Sequence, residues 1–111
     1  MPSKYLMKKN VIVGLGEIGT PIYKLLSKNF LSVGYDLNEN LMDVKKFKKY
    51  ENTETIFLHI CIPFSKKFIS NVQKIVKKFD PEIIVIHSTI SPNTTTKLQS
   101  RLKIPVIYSA T

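Results

Sequence analysis

The apolar residues of this chain fall into two kinds of stretch: short unbroken runs, and longer segments in which they recur every third or fourth position. Residues 10–14, Asn-Val-Ile-Val-Gly, are of the first kind. Too short for a helix and rich in β-branched side chains, they are predicted to form a buried strand. Residues 31–35, closed by Asp36, residues 55–62, stopped by Pro63, and residues 82–87, behind the Asp80-Pro81 turn, read the same way. Residues 104–108 supply a last short strand, which Pro105 places at a sheet edge.

Between these runs the period changes to that of a helix. Over residues 18–28 the expected inward stripe is Ile18, Ile22, Leu25 and Leu26, with Pro21 tolerated near the first turn. Leu41, Val44, Phe47 and Tyr50 are three apart with lysines between them, which predicts a short amphipathic helix. Phe68, Ile69, Val72, Ile75, Val76 and Phe79 give the clearest helical stripe, with Ser65 as its expected N-cap. Ser91-Pro92 predicts another helix start, followed by a weaker pattern whose inner residues are Leu98 and Leu102. Strict alternation of strand and helix, with near-continuously apolar strands, predicts an α/β fold. It is a doubly wound parallel sheet of about five strands in three layers, α/β/α, of Rossmann type.

Composition narrows this to one small domain. The chain has 111 residues, 43% hydrophobic and 23% charged, within the range of ordinary globular proteins. No apolar run approaches the roughly 20 residues of a membrane-spanning helix. The basic segment 1–10 is too weakly apolar for a signal peptide, so no membrane partner and a cytoplasmic location are expected. A lone cysteine, Cys61, excludes an internal disulfide framework and a cysteine-cluster zinc site, and no metal site is expected. The net charge of +9 suits an anionic ligand such as a phosphate-bearing cofactor. Sixteen of the seventeen basic residues are lysines, ten of them in five scattered pairs, and only Arg101 is an arginine, which argues against base reading and against a nucleic-acid partner. The lysines are expected to form a solvated surface.

The candidate chemistry lies between the first strand and the first helix. Gly14-Leu15-Gly16-Glu17-Ile18-Gly19 matches G-x-G-x-x-G, and Asp36 closes the second strand 22 positions after Gly14. Each part has a physical purpose. Gly14 permits a tight turn, Gly16 lets a pyrophosphate approach the backbone, and Gly19 lets the helix pack close to the strand. Free amides at the helix start would face the diphosphate, and Asp36 would accept hydrogen bonds from the adenosine ribose. A 2′-phosphate would meet that carboxylate with no arginine beside it, so NAD is expected over NADP. Glu17 is the awkward member, an acid close to the expected phosphates, with first-turn stabilisation of the helix dipole as its alternative role.

Further stretches extend the motif. Residues 13–19, Gly34-Tyr35-Asp36, Cys61-Ile62-Pro63 and residues 87–95 together resemble the superfamily of 6-phosphogluconate, 3-hydroxyisobutyrate, UDP-glucose and UDP-N-acetylmannosamine dehydrogenases. His-Ser-Thr-Ile-Ser-Pro-Asn-Thr-Thr looks most like a segment of the nucleotide-sugar branch. The resemblance implies that Ile62, Pro63, Ser88 and Thr89 contact the cofactor, with Thr89 nearest the nicotinamide. Asn93 replaces the usual glycine and Cys61 a common threonine. In that superfamily the catalytic Lys, Asn or Cys belongs to a helical region after the Rossmann unit. Nothing of the kind precedes Thr111, so no catalytic residue is assigned. The chain is expected to be the cofactor lobe of a dehydrogenase acting on a nucleotide sugar or hydroxyacid, completed by a further domain or another chain.

The alternative is a stand-alone NAD(H)-binding module that senses redox state or assembles with a partner and turns nothing over. A third reading is a lysine-rich nucleic-acid binder. Cys61 and His59 read as packed strand residues, whereas His87, at a strand end, is open to a part in cofactor contact or acid–base work. A last strand with an unpaired edge, and an apolar face meant for an absent region, predict self-association near the C-terminal end.

Overall fold

The computed structural model describes residues 7–109. Five strands are present: β1 (Lys9–Val13), β2 (Ser32–Tyr35), β3 (Thr55–Ile60), β4 (Ile83–Ile86) and β5 (Val106–Tyr108). They alternate with α1 (Gly19–Ser27), α2 (Val44–Lys49), α3 (Phe68–Phe79) and α4 (Pro92–Arg101). All neighbouring strands run parallel, in the order β2-β1-β3-β4-β5. This is the doubly wound, Rossmann-type sheet that the alternation predicts. The step from β1 to β2 goes one way and every later crossover goes the other. Right-handed connections therefore put α1 on one face and α2, α3 and α4 on the opposite face.

The core lies under the three helices. Val11, Val13, Val33, Leu58, Ile60, Ile84 and Ile86 point to that side and meet Phe68, Val72, Val76 and Leu98, all buried. Tyr35, Phe47 and Phe79 tie β2, α2 and α3 together, with ring centroids 5.6, 5.4 and 6.1 Å apart. The third layer is α1, which packs on β1 and β2. Strand register places Asn10, Ile12, Ser32 and Gly34 beneath it. Edge strand β5 is shielded by a side chain: Gln99 Oε1 accepts the Val106 amide at 2.9 Å, while its Nε2 donates to the Ile104 carbonyl.

Several local expectations are corrected. Helix α1 starts one residue late, and its expected inner residues Ile18 and Leu25 are 47% and 64% exposed. Its closest approach to the sheet is at Gly19, which turns the buried edge of this short helix away from them. Ser65 makes its expected side-chain bond one turn early. Helix α3 begins at Phe68 with Lys67 at the N-cap position, and Ser65 closes the turn before it, its hydroxyl accepting the Lys67 amide at 3.3 Å and its carbonyl the Phe68 amide at 3.0 Å. Residues 41–50 split into a 3-10 turn, Glu39–Leu41, and α2, whose Lys46 amide is capped by Asp43 at 3.1 Å. Ser91 and Pro92 start α4 as expected.

The lysines are not uniformly a solvated surface. Lys9 is 2% exposed, its Nζ donating to the Tyr50 and Glu51 carbonyls at 2.7 and 3.2 Å and so anchoring the end of α2. Among the described residues Lys8 alone is ion-paired, to Glu82 and Glu54. No helix among them is long and apolar enough to cross a membrane. Most of the N-terminal segment read as too polar for a signal peptide lies outside the described residues.

Candidate functional site

In an open parallel sheet the strand order reverses at one point, and a crevice opens there at the carboxyl ends. Here the reversal falls between β1 and β3. A groove of about 1120 Å³ lies at that end. Its walls include Gly14, Gly16, Glu17 and Ile18 after β1, Asp36 after β2, Ile62 and Pro63 after β3, and Ser88 and Thr89 after β4. The fold thus brings together nine of the eleven residues singled out from the sequence. Leu15 and Gly19 stand behind the wall.

The three glycines of the turn have different physical reasons. Gly14 has φ +94°, a conformation L side chains rarely adopt, and a Cβ there would sit 2.8 Å from the Cys61 carbonyl oxygen. At Gly19 a Cβ would lie 1.6 Å from the Gly14 carbonyl oxygen, so only glycine lets α1 close onto the turn. Around Gly16 there is nothing within 4 Å. No packing demands glycine at Gly16, and its backbone lies open to the groove. The amides of Gly16, Glu17 and Ile18 meet no acceptor among the described residues, while the Thr20 amide already bonds the Gly16 carbonyl at 3.1 Å. A concave surface of unengaged amides with side-chain bulk removed is suited to an anion pressed against the backbone.

Asp36 joins the two sides of this corner. Its Oδ2 accepts the Leu15 amide at 2.8 Å and its Oδ1 accepts the Asn38 amide at 2.9 Å. Each carboxylate oxygen keeps a further lone pair for a hydroxyl donor in the groove. Leu15 therefore has no free amide, and its side chain is buried against Gly34, where an added Cβ would come within 2.8 Å of it. Ser88 is also committed to the frame, its hydroxyl donating to the Ile62 carbonyl and tying the end of β3 to that of β4. Thr89, Glu17 and Pro63 are exposed at the mouth.

Helix α3 contributes Asn71, Lys74, Ile75 and Lys78 to the same groove. Sequence reading gave Ile75 to the core stripe and missed Asn71, Lys74 and Lys78, which flank it at i−4, i−1 and i+3. Lys78 Nζ lies 5.4 Å from the Tyr35 ring centroid. The expectation that NADP is excluded rested on the lack of a cation beside Asp36 along the chain. Two lysines from α3 now line the same groove as Asp36, so the tertiary structure supplies the cations that the local sequence lacks.

His87 does not line the groove. Its side chain rises on the α1 side of the sheet, where its Nε2 lies 2.8 Å from Nδ1 of His59. Burial, and then the neighbouring His87, push His59 down to about 4, and burial also lowers His87, so both rings are neutral near pH 7. Cys61, at the base of the groove, is pushed up to about 12 by burial and is a thiol there, with no nucleophile's charge. Among the described residues no cluster of three or more metal-ligating side chains occurs.

No protein-family model and no curated protein sequence matches the chain. Two solved structures resemble it. One is RSP in complex with β-NAD+ and operator DNA, 19% identical, TM-score 0.58, over 95% of this chain and 51% of that one. The other is RSP, a Rex-family repressor, 20% identical, TM-score 0.59, over 98% of this chain and 56% of that one. These likenesses show the fold. This chain spans about half the length of the structures it matches. The matched proteins are repressors, so the Rossmann-type half of the sequence resemblance stands, and its dehydrogenase branch gains no support from them.

Proposed function

We propose that this chain binds NAD(H) in the groove between the ends of β1 and β3, and acts as a dinucleotide-responsive module and not as a complete dehydrogenase. The observation that carries the reading is Gly16: of the three glycines in the turn, it alone has no packing reason to lack a side chain. Its amide and those of Glu17 and Ile18 would hold the diphosphate, and Asp36 the adenosine ribose. Ile62, Pro63 and Thr89 would flank the other half of the ligand. Leu15, Gly19 and Ser88 would act indirectly, by shaping the turn and the strand ends.

The β-NAD+ in the RSP complex supports the choice of ligand, and the role of RSP as a repressor supports sensing over turnover. The groove itself adds support: its cysteine is a neutral thiol, and the histidine that could have served as acid or base faces the other side of the sheet. A further unit that reads the bound state, on the same polypeptide or a second chain, completes the function. The operator DNA in that complex returns nucleic acid to the partners to be tested, against the expectation drawn from the single arginine.

Fluorescence titration with NADH is the direct test. The wild-type chain should bind, more tightly than it binds NADPH. Gly16→Val should weaken binding at least about tenfold while leaving the melting temperature unchanged, because the added bulk meets ligand and not protein. No binding by the wild type, or equal binding by the variant, would overturn the proposal. Duplex DNA binding that falls steeply with salt would identify the nucleic-acid partner.

A further inference from the structure

The positive charge of the chain is segregated. Helices α2, α3 and α4 share one face of the sheet, and together they carry nine basic side chains and no acidic one. That is more than half of the seventeen basic residues. The carboxylates nearest along the chain stand at helix ends: Asp43, which accepts the Lys46 amide, and Asp80, the last residue of the α3 turn.

Helical geometry turns these cations outward or toward one another. On α3, Lys74 and Lys77 point away from the buried stripe of Val72 and Val76. On α2, Lys45 and Lys49 point away from Phe47, which packs on the core. On α4, Gln99 faces the β5 edge, so Lys97 and Arg101 lie on the opposite flank, toward α3. All six of these cations are exposed.

The arrangement works against the helices that carry it. Lys45 with Lys49, Lys74 with Lys77 and Lys78, and Lys97 with Arg101 are like charges three or four positions apart, and such pairs destabilise a helix. None of the nine is ion-paired among the described residues, where Lys8 alone is. A polyanion laid across the three helices would relieve this repulsion.

The face also lacks what other partners grip. Among the described residues the exposed large apolar side chains lie on α1, the loops and β5, and none on α2, α3 or α4. A membrane surface is held through an inserted apolar face, a protein through buried apolar anchors, and a single strand through aromatic stacking. A duplex needs none of these, because its backbone carries one negative charge every ~1.7 Å of axis. Three helices side by side, each about 10 Å across, face about 30 Å of it.

We propose that the outer face of α2, α3 and α4 binds the phosphate backbone of a nucleic-acid duplex without reading its sequence. With Arg101 as the sole arginine, the contacts are lysine to phosphate, which position a duplex and carry no sequence information. This inference does not rest on the dinucleotide reading, whose groove opens at the carboxyl ends of the strands.

Fluorescence anisotropy with a labelled duplex of about 20 base pairs, between about 50 and 200 mM salt, tests it. Binding is expected at the lowest salt, falling linearly in log–log form with a slope of about −4 or steeper. Unrelated sequences should bind alike, and parallel DNA and RNA duplexes, either of which supports the proposal, show which is preferred. Lys77→Gln/Lys97→Gln and Lys24→Gln/Lys28→Gln lower the net charge equally, but only the first pair lies on this face; Lys24 and Lys28 belong to the end of α1. The first pair should weaken binding about tenfold and flatten the slope by about two, the second by less than about twofold. Melting curves check that both variants fold, and unfolding of the first leaves Lys45→Gln/Lys49→Gln to decide. No duplex binding by the wild type, equal weakening by the two pairs, or tighter binding of a single strand or of phosphatidylserine vesicles would sink the proposal. The NADH titration decides the groove separately.

Discussion

The two faces of one five-stranded sheet are built in different ways. On the α2–α4 side, large branched residues from four strands interlock with Phe68, Val72, Val76 and Leu98 in a closed core. On the other side α1 rests on a floor that includes Asn10, Ser32 and Gly34, and among the described residues no helix covers the half of the sheet beyond it. The buried Asn10 Oδ1 and Ser27 Oγ on the α1 side have no hydrogen-bond partner among the described residues, a further sign of looser construction. The closed face carries the stability. The thinner face carries the glycine turn, whose backbone must stay accessible, together with the open apolar surface. Close packing and ligand access make opposite demands, and the topology separates them.

The largest expected effect breaks the thin face at its hinge. Gly19→Ala places a methyl group 1.6 Å from the Gly14 carbonyl oxygen, so α1 cannot seat. The expected loss is about 4 kcal/mol or more, read as absence of a cooperative melt. Next comes a matched pair of strand truncations. Leu58→Ala, at a fully buried site on the closed face, should cost about 3 kcal/mol in urea unfolding. Val85→Ala, on the open face, should cost under about 1 kcal/mol. Equal losses in that pair would show that the two faces are energetically alike.

The smallest effect expected concerns His59. Its folded-state value of about 4 lies below its ordinary 6.5, so the unfolded chain binds more protons between those limits. The histidine penalty is absent above pH 6.5 and grows as the pH falls toward 4. His59→Phe should therefore flatten the decline in melting temperature over that window. An unchanged slope would place the acid sensitivity elsewhere.

Much of the fold was legible before any coordinates. The α3 stripe was correct because twelve residues of strong 3.6-residue periodicity leave one solution. The β3 and β4 runs were correct apart from their ends. Helix α1 was found, but its facing was misjudged: a nine-residue helix carries too little pattern to fix its rotation, and contact through Gly19 turned Ile18 and Leu25 outward. Ser65 has the chemistry of a cap, yet the chain needed three more residues to swing from the strand into α3. In the groove, residues contiguous with the strand ends were legible, because parallel strands deliver their carboxyl ends to one side. Lys74 and Lys78 were not, because they arrive from the middle of a helix that packs across the sheet.

The order of amino acids by itself determined the alternation of strand and helix, the parallel sheet, and the glycine turn with an acid at the end of the next strand. These follow from local sterics and periodicity, which act over a few residues. Tertiary structure alone decided the strand order, the pairing of His59 with His87 away from the groove, the commitment of Asp36 to the Leu15 amide, and the half-bare face beside α1. Each depends on which distant segments become neighbours, and that is settled by how the crossovers stack around a common core, a contest that no single stretch of chain encodes.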